Sequence, residues 1–137
     1  MIEWHLRAIG LLMLLIAGVH AFFPSWFRWR EELNRLSLLN RQIFVVHTLF
    51  VVLILVLVGS LLLFHGGTIL RSGELGRVIY LGLGVFWAAR LAVQLWYYDR
   101  TLWQGDTAKT GLHALISLLC GYFTAVFAWA SFATVVR

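Results

Sequence analysis

Apolar and polar positions alternate along this chain in long blocks, with four apolar runs separated by polar connectors. The second run, 43–64, is the clearest. Its 22 residues rise about 33 Å as a helix, enough to cross a hydrocarbon layer of roughly 30 Å. Its richness in Val, Ile and Leu would suit a strand in water, but its length decides for a helix. The other runs are 8–23, 78–98 and 112–136. Within lipid every backbone group must be satisfied inside its own segment, so four helices are expected. The fold class is therefore an all-α membrane protein, four transmembrane helices in an antiparallel bundle, forming a single domain over 1–137.

The first connector adds a fifth element. Pro24 ends the first helix, and Ser25 can cap the next one. Trp26, Trp29, Leu33 and Leu36 then recur at three- and four-residue spacing, with Arg28, Glu31, Glu32 and Arg35 opposite them. That pattern predicts a short amphipathic helix over about 25–41, lying in the interface. The connector from His65 to Arg77 reads as a plain turn with flexible glycines. The one from Asp99 to Thr110 reads as a short polar loop anchored by Trp103.

Composition agrees with the pattern. The chain is 61% hydrophobic and 12% charged, about half the charge of an ordinary soluble domain. A soluble fold of 137 residues would leave large apolar patches in water. The net charge of +5 comes from dispersed residues beside the runs, which points to lipid phosphates and topology rather than nucleic acid. Connectors 24–42 and 99–110 carry six basic residues against four on the opposite face, so their side is expected to be cytoplasmic. Val19-His20-Ala21 loosely fits a signal-cleavage pattern, but the mixed charge of residues 1–7 favours a retained helix. Cys120, the only cysteine, is read as a core residue.

Candidate chemistry is set by depth. His20, His47 and His113 each fall about one turn inside the same edge of the expected bundle, and ionisable groups at such depth usually face a partner, cofactor or water. Arg90 and Gln94 share a helix face at i,i+4 and belong to the same edge. Arg90 alone costs about 2.5–3.5 kcal/mol on insertion scales. Tyr97, Tyr98 and Asp99 complete the expected pocket. His20 and His47 are the first-choice axial ligands of a haem b, with His113 as substitute, and His5 with His65 permits a second pair. The same three histidines can instead hold one Zn, Cu or Fe ion. Arg90, tyrosine and imidazole can also donate to the carbonyl oxygens of a quinone.

The leading expectation is thus a small membrane subunit carrying a His-ligated cofactor or a quinone in electron transfer. The alternatives are a non-catalytic accessory or assembly subunit, and a metalloenzyme or small transporter using the same pocket. Lipid, other membrane subunits or a second copy are the expected partners. Motifs of phosphate loops, zinc proteases and Ser/His/Asp hydrolases do not occur in the chain.

Overall fold

The computed structural model describes residues 1–26 and 28–134. These are helical, with no strand among the described residues. Four long helices are present: α1 (Ile2–His20), α4 (Leu38–Leu70), α5 (Glu74–Ala92) and α6 (Thr107–Ala133). Between them lie the short helices α2 (Phe23–Trp26) and α3 (Trp29–Leu33), a π-helical turn Val93–Tyr97 and a 3-10 turn Arg100–Leu102. Counting the π-turn with α5, four segments are long and apolar enough to cross a membrane, as in a multi-pass membrane protein. The last residues of the run expected over 112–136 lie outside the described residues.

The element boundaries depart from the hydropathy runs for identifiable reasons. The helices extend past the apolar runs: α1 begins at Ile2, α4 at Leu38, α5 at Glu74 and α6 at Thr107. Glu3 sits in the first turn of α1, where its charge complements the helix dipole. The connector expected from His65 to Arg77 is mostly helix, with only Arg71-Ser72-Gly73 left as a turn. Gly73 has φ +63°, a conformation that residues with a Cβ rarely adopt, and Ser72 Oγ donates to the Ile69 carbonyl at 2.7 Å. Gly76 then packs so closely on the Ile69 carbonyl that a Cβ there would collide with it.

The single amphipathic helix expected over 25–41 is broken into α2 and α3, and α4 begins at Leu38. Arg28 has φ +50°, a left-handed residue that ends one helical path and starts another. Pro24 is the second residue of α2, a position near a helix start where its missing N–H costs nothing. Helical spacing lets Glu31 and Glu32 each reach Arg35; Glu32 does so at 3.9 Å, while Glu31 pairs instead with Arg28 at 2.8 Å, all on solvated side chains.

The chain divides into two compact units, the first covering Glu3–Gly67 with Met1 and the second beginning at Thr68. In the first, α1 and α4 run in opposite directions, since Gly10 meets Gly59 and Leu63 while Gly67 meets Glu3. Leu6, Ile9, Met13 and Ala17 on α1 form a buried stripe at three- and four-residue spacing. In the second, α5 and α6 also oppose. Tyr80 stacks on Phe127 at 6.2 Å, Trp87 meets Phe123 edge-on at 4.6 Å, and Gly84 lies against Phe127 and Ala128.

Asp106 starts α6. Its carboxylate accepts from the amides of Ala108 (3.0 Å) and Lys109 (3.1 Å), the capping geometry expected of aspartate at a helix start. Those bonds, with the Lys109 side chain nearby, hold the carboxyl below its ordinary range. A depressed carboxylate stabilises the fold above the unfolded-chain pKa and loses that contribution as pH falls through the folded value. Amide protection at Ala108 and Lys109 should therefore be full at neutral pH and drop under acidic conditions, below about pH 4. Asp106→Ala should show the low protection already at neutral pH, measured by NMR hydrogen exchange.

Candidate functional site

The residues expected to form one polar layer fall in two units, and each unit organises its own. In the second unit the π-helical turn is decisive. Widening the helix at Val93–Tyr97 ends α5 with Gln94 buried at 5% exposure, and Tyr98 leaves the helix in an extended conformation. Such π-turns recur at functional sites. Gln94 is held from both ends. Arg90 Nη1 donates to Gln94 Oε1 at 2.9 Å, and Gln94 Nε2 donates to His113 Nδ1 at 2.8 Å.

This chain of bonds has only one consistent assignment. Arginine is a donor without acceptor capacity, so the Gln94 oxygen must face Arg90 and its NH2 must face the imidazole. His113 Nδ1 is therefore the acceptor, and the ring proton of the neutral imidazole resides on Nε2. Trp103 stacks on the same ring, with centroids 3.9 Å apart and planes 15° apart. The Arg90 guanidinium also lies 5.9 Å from the centre of the Tyr98 ring, within cation–π range. The cost of a cationic side chain on an apolar, membrane-length helix is thereby offset by a carbonyl dipole and an aromatic face.

Two residues behave differently from expectation. Asp99 does not join this network. Its Oδ1 accepts from the Thr101 amide and hydroxyl, both at 2.8 Å, which closes the 3-10 turn and lowers its carboxyl pKa. Tyr97 is 81% exposed and contributes only an edge contact to Tyr98. Trp103, by contrast, is more than the anchor the sequence suggested. Its stacking depends on how the 98–106 connector folds back, for which the linear pattern has no signal. Thr110 Oγ1 donates to the Trp103 carbonyl at 3.0 Å and helps hold that return.

The first unit contains His20 and His47, both with their Nδ1–H donated to the backbone one turn back. His20 Nδ1 donates to the Ile16 carbonyl (2.7 Å) and His47 Nδ1 to the Ile43 carbonyl (2.9 Å). Each ring thus presents a free Nε2 lone pair, the opposite tautomer to His113. His20 is half-buried against Phe23, ring centroids 4.5 Å apart, and opens into a groove of about 510 Å³. The groove has an apolar floor including Ala17, Leu49 and Val52, with Arg30, Asn34 and Arg41 at its mouth. His47 is exposed and does not line it. Their helical positions explain this, since Val45, Thr48, Leu49 and Val52 share one face of α4 and position 47 turns away from it. His5 and His65 are both exposed.

Among the described residues, no group of three or more His, Cys, Asp or Glu side chains is placed to hold a metal ion. No protein-family model, curated protein or solved structure matches the chain.

Proposed function

We propose that the protein is a small integral-membrane subunit of electron transfer whose second unit binds a quinone carbonyl through His113 Nε2–H. The observation that carries this reading is the bond chain Arg90–Gln94–His113, which makes Nε2 a committed hydrogen-bond donor. A donor is what a quinone oxygen requires, whereas an iron or zinc ion requires a lone pair at that nitrogen. Trp103 adds a flat aromatic surface beside the donor, suited to a planar ring. Arg90 keeps the local field positive, which favours the charge that accumulates on a quinone during reduction.

In this reading the four long helices close into an antiparallel bundle, with the 25–41 region at the interface and connectors 24–42 and 99–110 on the cytoplasmic side. Haem b finds less support. His113 offers Nε2–H rather than a lone pair, and His47 lies off the groove that His20 enters.

The test is quinone-dependent quenching of tryptophan fluorescence in lipid nanodiscs, titrated with decylubiquinone. Saturable quenching is expected, with a large part of its amplitude lost in Trp103→Phe and its affinity reduced in His113→Phe. Absence of saturable quenching overturns the proposal. So does a Soret band in the purified protein that disappears in His20→Ala, which would place a haem in the first unit instead.

A further inference from the structure

The groove of the first unit has no part in the quinone reading, and its chemistry is of a different kind. Four arginines occur between residues 28 and 41. Arg28 and Arg35 are neutralised by Glu31 and Glu32 on exposed side chains. Arg30 and Arg41, the two that line the groove, have no carboxylate partner among the described residues. Arg41 is instead steered by a neutral group, its Nη1 donating to Asn34 Oδ1 at 3.0 Å across seven residues. The acids of this connector thus neutralise the outer cations and leave the groove's pair available.

Below this cationic mouth the groove is apolar, with Ala17 from α1 and Val45, Leu49 and Val52 from α4 at successive turns. The mouth lies where α1 ends at His20 and the polar connector meets α4, which is headgroup level if these helices cross a bilayer. A cavity of about 510 Å³ with one charged end and one apolar end matches an anionic amphiphile. We infer that the groove binds an anionic phospholipid, its phosphate between Arg30 and Arg41 and one acyl chain along the α1–α4 floor. His20 Nε2, with its lone pair free, accepts from a headgroup hydroxyl, which makes phosphatidylglycerol the appropriate probe.

The experiment compares phosphatidylglycerol retention by native mass spectrometry after release from nanodiscs of mixed phosphatidylglycerol and phosphatidylcholine. Each arginine near a lipid phosphate is worth about a fivefold change in affinity, so Arg30→Gln/Arg41→Gln should weaken retention about 25-fold. Arg28→Gln/Arg35→Gln removes the same formal charge and should leave retention within about twofold, as expected of solvated pairs. Val45→Trp, on an exposed floor position, should reduce retention with both arginines intact. Equal losses in the two double variants would overturn the proposal in favour of bulk charge. Wild-type protein with no preference for phosphatidylglycerol would also overturn it. Displacement of the lipid by millimolar inorganic phosphate would show that the acyl floor is unused, and would overturn it as well. None of these readouts involves His113, so failure here leaves the quinone reading standing.

Discussion

Gln94→Glu is expected to leave the second unit folded while inverting the tautomer of His113. The introduced carboxylate has two acceptor oxygens and no donor. One oxygen can keep the Arg90 bond, now as an ion pair, but the other meets His113 Nδ1 and requires a proton there. The imidazole then carries Nδ1–H and presents a lone pair at Nε2. Imidazole 15N chemical shifts should report the exchange of protonated and unprotonated nitrogens between wild type and variant. Quinone affinity should fall about tenfold, the worth of one hydrogen bond turned into an acceptor–acceptor contact. Thermal stability should remain near wild type. Gln94→Leu is the contrasting case, since it removes the hydrogen bonds that Gln94 makes to the Arg90 guanidinium and to His113 Nδ1 at a buried position. It should destabilise the unit by about 1–3 kcal/mol or more. A wild-type quinone affinity in the tautomer-inverted variant would sink the assignment of Nε2–H as the binding group.

Gly10→Ala is expected to be the most disruptive single-methyl change in the first unit. A Cβ at this position would stand 2.6 Å from the Gly59 carbonyl oxygen and 2.6 Å from the Leu63 nitrogen. Both are backbone atoms of α4, so no side-chain rotation can make room and the helices must separate. Glycine is used here because it lets two helix backbones approach, the main route to helix association where lipid is as apolar as the side chains. Overpacking usually costs about 1–3 kcal/mol, and a backbone obstruction belongs at or above the top of that range. Gly18→Ala is the matched control on the same helix, since a Cβ there meets nothing within 4 Å. Reversible unfolding in mixed micelles should separate the two variants clearly. Equal stabilities would show that the α1–α4 contact is looser than this geometry.

The legibility of the sequence has a physical division. Ile43–Phe64 could be read as a membrane-length helix because length and composition alone decide whether a segment can cross lipid. Arg90 and Gln94 could be read as a pair because α-helical spacing places i and i+4 together, and their bond is 2.9 Å. Glu32 reached Arg35 at the neighbouring i,i+3 spacing, as read from the sequence, whereas Glu31 turned back to Arg28. Local periodicity suffices wherever the interaction is local.

Tertiary structure decided everything that needed a second element. The bond from Gln94 to His113 spans 19 residues, and the stacking of Trp103 depends on the return of a connector. Hydropathy could place His20, His47 and His113 at similar depths, but depth does not fix rotation about a helix axis. That rotation turned His20 into a groove and left His47 outside it. The tautomers were equally beyond the sequence, since each is fixed by whichever neighbour Nδ1 meets: a carbonyl oxygen for His20 and His47, an amide NH2 for His113. By itself the sequence determined that four segments are long and apolar enough to cross a membrane, and which polar residues lie near their ends. Only packing decided which of those residues touch, because a contact between helices depends on their relative rotation and register, and neither is encoded in periodicity along one chain.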